Sequence, residues 1–145
     1  MAGNDKPPLQ PTQFLLPHGR ILLVDEDARD LKYLTALLAR MGYSVRAFLN
    51  YREAEGCLEH ENFDSAIVSQ ASPAFEAHVL KELTLRYSRY EPEVVLTRCL
   101  EMNCYLEAMQ LGAVDYVEKP LAPGEFEHLV TTHCQPPPGE IAARA

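Results

Sequence analysis

The chain has 145 residues, of which 47% are hydrophobic and 23% are charged, and its formal net charge is −8. These values predict one soluble globular domain. The negative charge argues against direct binding of nucleic acid or of an anionic membrane. No apolar stretch approaches the roughly 20 residues of a membrane span, and the N-terminus lacks the pattern of a signal peptide. We therefore expect a cytoplasmic protein.

Prolines cluster at both ends of the chain, with four in residues 1–19 and three at 136–138. Such stretches are typical of extended tails or linkers, so residues 1–19 and 134–145 are predicted to be tails. The folded domain is expected at residues 20–133. The second tail could lead into a further domain of a longer protein.

Short apolar runs alternate with helical patterns inside the predicted domain. Strands are predicted at 20–25, 43–48, 65–69, 93–97 and 114–118. Helices are predicted at 28–42, 51–61, 73–89, 102–112 and 124–133. In the helix at 51–61, Ala54, Cys57 and Leu58 share an apolar face, and in the helix at 102–112, Met102, Leu106 and Met109 do so.

The first, third and fourth predicted strands are apolar at nearly every position. Strands that are apolar on both faces belong in a parallel sheet that helices cover on both sides. Right-handed crossovers then give a doubly wound, flavodoxin-like α/β sandwich of five strand-helix units. Sites in such sheets form at the carboxyl ends of the strands.

Polar residues follow several of these strands. The first strand ends in Asp25, Glu26 and Asp27, without the glycines that a phosphate-binding loop would need. Carboxylates of this kind suit Mg²⁺, whereas Asp27 is better explained as a helix N-cap. Thr97 ends the fourth strand and Lys119 follows the fifth, so acids, a hydroxyl and an amine are expected at one edge of the sheet.

The chain resembles the receiver domain of bacterial two-component response regulators. The resemblance covers about 110 residues and rests on "ILLVDED", on the segment from Asp64 to Pro73, on "VVLT" and on "GAVDYVEKPL". It implies a five-stranded parallel sheet with five helices. It also implies transfer of a phosphoryl group from a histidine kinase to an aspartate, with Mg²⁺ held by an acid pair.

The resemblance assigns roles to individual positions. Asp64 matches the acid that begins the third strand, and Pro73 matches the proline of the loop after the phosphoacceptor. The site positions are the metal-binding acid pair, Asp25 and Glu26, the switch residues, Thr97 and Tyr116, and the phosphate-contacting lysine with the proline whose preceding bond is often cis, Lys119 and Pro120. The phosphoacceptor position holds Ser69 instead of aspartate.

Serine at this position changes the expected chemistry. Its hydroxyl is a weak nucleophile without a neighbouring general base, and it removes one carboxylate from the metal site, so Mg²⁺ should bind weakly or not at all. Arg98 follows Thr97 where the family usually has a small residue. We expect its guanidinium either to point to solvent or to fill the pocket and pair with Glu26 or Asp25.

These features predict a phosphorylation-independent interaction module, not an enzyme and without a required cofactor. Its protein partner (an effector, a kinase or a second copy in a homodimer) would bind the face made by the fourth helix, fifth strand and fifth helix in the predicted order. One alternative is a receiver that is still phosphorylated, at Ser69 or elsewhere. Another is a small α/β enzyme that binds a nucleotide or a flavin.

The cysteines offer a further alternative. A zinc site could be drawn from Cys99, Cys104, His133 and Cys134, but their spacing is not a known ligand pattern. Reduced, structural cysteines are the simpler expectation.

Overall fold

The computed structural model describes residues 19–70, 82, 92–98, 101–110 and 112–134. The predicted tails, apart from Gly19 and Cys134, lie outside the described residues. So do Pro73, Cys99 and the predicted helix at 73–89, except for Glu82, which is helical.

Five strands and four helices alternate along the described residues. The strands are β1 Gly19–Asp25, β2 Tyr43–Phe48, β3 Ser65–Gln70, β4 Glu93–Thr97 and β5 Asp115–Glu118. The helices are α1 Ala28–Arg40, α2 Tyr51–Leu58, α3 Met102–Gln110 and α4 Pro123–His133. All strands pair in parallel, in the order β2-β1-β3-β4-β5. The predicted parallel α/β sheet is therefore confirmed.

Each face of the sheet has its own apolar core, because successive side chains of a strand point to opposite faces. On one face, Ile21, Leu23 and Ile67 pack with α1 and α4. On the other, Leu22, Val24 and Val68 pack with α2 and α3. Asp25 and Ser69 continue the first alternation, so their side chains belong to the face that α1 and α4 cover.

The ends of α1 follow from local chemistry. The Asp27 carboxylate accepts hydrogen bonds from the backbone amides of Arg29 and Asp30, at 2.8 and 3.2 Å, which confirms the predicted N-cap. Gly42 has a φ of 95° just after the helix, in the region where glycine avoids the cost of a Cβ atom. These two residues fix where the helix begins and ends.

The apolar patterns of two helices have opposite outcomes. On α2, the predicted apolar face is buried: it consists of Ala54, Cys57 and Leu58. The stripe on α3 faces solvent: Met102, Leu106 and Met109 are 67%, 47% and 37% exposed, while Ala108 packs on the sheet. These three residues together with Tyr105, which is 38% exposed, form what we call the α3 apolar face.

The described cysteines, Cys57, Cys104 and Cys134, are reduced. Burial raises the pKa of the Cys134 thiol to about 11, which disfavours a thiolate ligand. His133 lies 3.3 Å from Asp115, and the described residues contain no cluster of three or more metal-binding side chains. The described residues thus give no support to the zinc site, and the fourth predicted ligand, Cys99, lies outside them.

No helix in the described ranges is both long enough and apolar enough to cross a bilayer.

Candidate functional site

Asp25 and Ser69 meet at the carboxyl end of the sheet. Parallel pairing of β1 with β3 aligns Asp25 with Ser69, and Ser69 aligns in turn with Leu96 on β4. Both polar residues are fully buried. The strand-end position of the predicted acceptor-equivalent residue therefore places its hydroxyl beside the first acid of the predicted acid pair.

Lys119 reaches these two residues from the loop after β5. Its Nζ atom donates a hydrogen bond to Ser69 Oγ at 2.5 Å and lies 3.6 Å from Asp25 Oδ2. The backbone amide of Lys119 donates to the carbonyl of Thr97 at 2.7 Å, which ties the loop to β4. The side chain is only 6% exposed, so the amine is held inside the site.

A third acid, Asp30, completes the site. Asp30 Oδ2 lies 2.7 Å from Lys119 Nζ and also accepts a hydrogen bond from the Arg98 guanidinium at 2.7 Å. Arg98 therefore pairs with Asp30, whereas the two predicted alternatives were a guanidinium in solvent and a pair with Glu26 or Asp25. The side chain of Arg98 is 49% exposed, so it lines the site while remaining open to solvent. The five residues Asp25, Asp30, Ser69, Arg98 and Lys119 are called the charged cluster below.

The sequence did contain a signal for Asp30. It lies three residues after the N-cap Asp27, in the first turn of the helix that follows the strand-end acids. The usual explanation of an acid in a first turn is the favourable interaction with the helix dipole. That explanation does not indicate that Asp30 also pairs with both Lys119 and Arg98.

The two acids of the charged cluster respond to it in opposite ways. Burial raises the pKa of Asp25, and the Asp27 amide, the nearby Ser69 hydroxyl and the charge of Lys119 counteract this only in part. Burial also acts to raise the pKa of Asp30, but hydrogen bonds from Lys119 and Arg98 and their charges outweigh it and lower that pKa. The site thus favours charge on Asp30 and penalises it on Asp25.

The predicted switch residues lie on the other face of the sheet. Tyr116 is 8% exposed and belongs to the core that α2 and α3 cover, together with Val95. Thr97 follows Val95 by two residues, so its buried side chain points to the same face. The Tyr116 ring packs edge to face on Tyr105, with centroids 5.6 Å apart. This contact connects β5 to the α3 apolar face.

The structure also describes three other positions that the resemblance singled out. Glu26 is partly buried just after β1. The bond between Lys119 and Pro120 is cis, as the resemblance implied. Asp64 accepts a hydrogen bond from the Arg20 amide at 2.7 Å and donates its own amide to the Arg20 carbonyl, which joins the starts of β1 and β3.

The residues present fit a magnesium ion poorly. The described residues contain no cluster of three or more potential metal-binding side chains, and the acceptor position supplies a neutral hydroxyl instead of a carboxylate. A lysine ammonium lies 3.6 Å from Asp25 Oδ2, the buried oxygen that makes no hydrogen bond within the described part of the chain. Mg²⁺ needs an octahedral set of oxygens, whereas Asp25 already neighbours a cation.

The geometry also argues against a serine nucleophile. A lysine can activate a serine only by accepting its proton, but Lys119 Nζ donates a hydrogen bond to Ser69 Oγ and also contacts the carboxylates of Asp30 and Asp25. The hydroxyl is buried as well. The charged cluster is therefore suited to hold structure and charge, and poorly suited to covalent chemistry at Ser69.

Comparison with solved structures supports the fold. The chain is similar to a response regulator receiver domain from Methanospirillum hungatei JF-1, with a TM-score of 0.68 and 22% identity over 86% of this chain and 94% of that one. It is also similar to the receiver domain of a sensor histidine kinase from Pseudomonas aeruginosa PAO1, whose structure has a magnesium ion coordinated in the active-site cleft. There the TM-score is 0.67 and the identity 21%, over 80% of this chain and 97% of that one.

Comparison of sequences identifies the family. The chain is 31% identical over 109 residues to the alginate biosynthesis transcriptional regulatory protein AlgB of Pseudomonas aeruginosa, covering 74% of this chain and 24% of that protein. It spans between about a quarter and a half of the length of the first curated relatives it matches. The family model of the response regulator receiver domain matches residues 21–131. The chain therefore belongs to the response regulator receiver domain family.

Proposed function

We propose that this chain is a receiver domain of two-component signalling that acts by binding a protein partner without being phosphorylated. The observation that carries the proposal is the position of Lys119. Its amine is already engaged by Ser69 Oγ and Asp30 Oδ2, at 2.5 and 2.7 Å. In the family, the matching lysine contacts the phosphoryl group, so here the chain supplies its own partners for that amine.

The acceptor position supports the same conclusion. Phosphorylation of an aspartate gives a labile acyl phosphate, whereas phosphorylation of Ser69 would give an ordinary phosphate ester. The poor fit of Mg²⁺ also removes the cation that would neutralise an incoming phosphoryl donor. We infer a module that requires no cofactor, catalyses no reaction of its own and works in the cytoplasm.

The α3 apolar face is the surface that we propose for the partner. Met102, Leu106 and Met109 lie at helical spacing and are exposed, which is unusual for large apolar side chains grouped on one helix. Tyr105 joins this face to Tyr116 on β5 through their ring contact. The partner is a protein, either an effector, a kinase or a second copy of this chain, that contacts α3, β5 and α4.

Phosphorylation with a small-molecule donor tests the proposal. Purified protein is incubated with acetyl phosphate and Mg²⁺, and its intact mass is measured. We expect no gain of a phosphoryl group by the wild type. The matched variant, Ser69→Asp, restores a carboxylate next to Asp25, and its behaviour shows whether the rest of the pocket still supports transfer.

The outcomes separate the candidate functions. A phosphoryl group that is found on the wild type, at Ser69 or elsewhere, would contradict the proposal and favour a receiver that still answers to a kinase. A yellow purified protein or one with a bound nucleotide would instead revive the enzyme alternative. If only the Ser69→Asp variant gains a phosphoryl group, the missing carboxylate is the reason for the inactivity of the wild type.

A further inference from the structure

A small pocket lies beside the charged cluster, on the face of the sheet that α1 and α4 cover. It encloses about 80 Å³. Asp30, Arg98 and Lys119 form its polar end. Its walls include apolar or aromatic side chains from α1, from the loop after β5 and from α4: Tyr33, Leu34, Leu121 and Phe126.

The charges at the polar end of the pocket nearly balance, because Asp30 contacts both cations and Asp25 lies 3.6 Å from Lys119. Arg98 and Lys119 both face Asp30, which is the only acid that lines the pocket among the described residues. Lys119 is nearly buried and its amine is engaged, whereas the Arg98 side chain is 49% exposed. Lys119 already has Asp30 and Asp25 beside it, so the half-exposed guanidinium of Arg98 is the cation that a ligand from solvent can reach, and an anion is the ligand that it selects.

Arg98 has the capacity to bind a second carboxylate. A guanidinium carries five N–H donors in a planar fork that matches a carboxylate. Within the described part of the chain, the Arg98 guanidinium donates one hydrogen bond, to Asp30. Its remaining donors are therefore available to a ligand that enters from the solvent side.

We propose that this pocket binds a short aliphatic carboxylate, with its charged group on Arg98 and its apolar tail against Tyr33, Leu121 and Phe126. The volume limits the tail, because a cavity of about 150 Å³ holds one benzene molecule. A space of about half that size suits a branched tail of roughly three carbon atoms. A single carboxylate suits the site, because one planar guanidinium fork pairs with one carboxylate.

Asp30 competes with this ligand for the guanidinium. Both carboxylates are drawn to Arg98, so an occupied pocket and an intact pair of Asp30 with Arg98 oppose each other. The pocket lies across the sheet from the α3 apolar face. Binding of the carboxylate therefore does not depend on the proposed partner surface.

Titration with isobutyrate, followed by ¹H–¹⁵N correlation spectra of the whole chain, tests the proposal. We expect saturable shifts in α1, at Arg98 and in the loop after β5. Isobutanol, which has the same tail without the charge, should bind at least about tenfold more weakly, because it cannot form a bidentate pair. Methyl phosphate, which has the charge without the tail, should also bind more weakly.

Three variants sharpen the test. Arg98→Gln should weaken isobutyrate binding about tenfold or more, and Arg98→Lys, which keeps the charge without the planar fork, should weaken it less. Asp30→Asn should tighten it several-fold, because the competing anion is gone. The control, Arg29→Gln, removes an exposed arginine of α1 outside the pocket and should leave binding unchanged.

Two results would overturn the proposal. One is equal binding of isobutyrate by the wild type and by folded Arg98→Gln. The other is a set of shifts that lies away from the pocket or that isobutanol reproduces. Arg98 is half exposed, so thermal unfolding of the Arg98→Gln protein near the wild-type temperature provides the check that the variant is folded.

Discussion

The charged cluster and the α3 apolar face differ in chemistry and in how far other residues of the chain contact them. In the charged cluster, the buried amine of Lys119 contacts Ser69, Asp30 and Asp25 within the same domain. On the α3 apolar face, Met102, Leu106 and Met109 lie in solvent. The polar groups of the charged cluster are buried with their partners, whereas the apolar groups of the α3 apolar face are exposed.

This difference indicates where the domain can act. A buried charge pair is costly to disrupt, so the internal partners of Lys119 resist the entry of a new charged group at its buried amine. An exposed apolar face gains free energy when another surface covers it. The inside of the domain is thus better suited to fix one conformation, and the outside of α3 is better suited to bind.

The largest expected effect comes from removing the central cation. Lys119→Met leaves the buried Asp25 with no cation in contact, while Asp30 keeps its pair with Arg98, and we expect a loss of about 3 kcal/mol in the free energy of unfolding at neutral pH. Urea denaturation measures this loss. The matched control is Lys32→Met, which removes an exposed lysine of α1 and should change stability by less than about 0.5 kcal/mol.

The comparison fails if the two lysine variants unfold alike. In that case the charged cluster would be hydrated, and losing its lysine would change the free energy of unfolding no more than losing a surface lysine. A double variant, Asp25→Asn with Lys119→Met, guards against an effect of lost packing alone. It should recover part of the lost stability, because the variant no longer buries an unpaired Asp25 carboxylate.

The sequence predicted the charged cluster in part, for physical reasons that differ between residues. Parallel strands bring their carboxyl ends to one edge, so strand positions alone predicted that Asp25 and Lys119 would be near each other. The resemblance to the family added Ser69. Asp30 was missed because an acid in the first turn of a helix is ordinarily explained by the helix dipole, which does not indicate the two cations with which Asp30 pairs.

The face of α3 illustrates the same limit. Helical spacing correctly grouped Met102, Leu106 and Met109, but spacing does not say which way a stripe points. For α2, the apolar stripe and the buried face coincide, whereas for α3 the small Ala108 packs on the sheet. Periodicity predicts a surface, and tertiary packing decides whether the chain itself covers it.

A smaller loss is expected at the acid that sequence analysis missed. Asp30→Asn removes the charged partner of Lys119 and Arg98, and we expect it to cost about 1 kcal/mol near neutral pH, since charged hydrogen bonds exceed neutral ones. The folded state lowers the pKa of Asp30 from its usual 3.8. Its stabilising contribution is therefore present above about pH 4 and is lost as the pH falls through the folded-state value.

Denaturation of wild type and Asp30→Asn across acid and neutral pH measures this contribution. The gap between the two proteins should narrow toward low pH. A constant gap over the whole range would mean that the loss comes from side-chain packing and not from the charge of Asp30.

Replacing the other acid of the pair should have the opposite sign. Burial raises the pKa of Asp25 above 3.8, so its ionised form costs free energy in the folded state. This cost is absent below about pH 4 and grows as the pH rises through the folded-state pKa. Asp25→Asn should therefore stabilise the domain slightly near pH 7, by less than about 1 kcal/mol. The side-chain carbonyl of the asparagine can still accept the hydrogen bond from the backbone N–H of Asp27.

Paired urea titrations at about pH 4 and about pH 7 check the sign. The gain should be larger at the higher pH. If Asp25→Asn destabilises the protein at both pH values, the ion pair with Lys119 at 3.6 Å outweighs the cost of burial, and the charged cluster stabilises the fold more than its geometry suggests.

The smallest effect on stability, and the largest on association, is expected on the α3 apolar face. Leu106→Ser changes a side chain that is 47% exposed, so the free energy of unfolding should shift by only about 0.5 kcal/mol. If two copies pair through this face, sedimentation should show the wild type associating with concentration and the variant remaining monomeric. Leu49→Ser, at a residue 44% exposed between β2 and α2, is the matched control and should associate like the wild type. Equal association of all three proteins would place any self-interaction elsewhere, and the role of the α3 apolar face would then depend on a different protein partner.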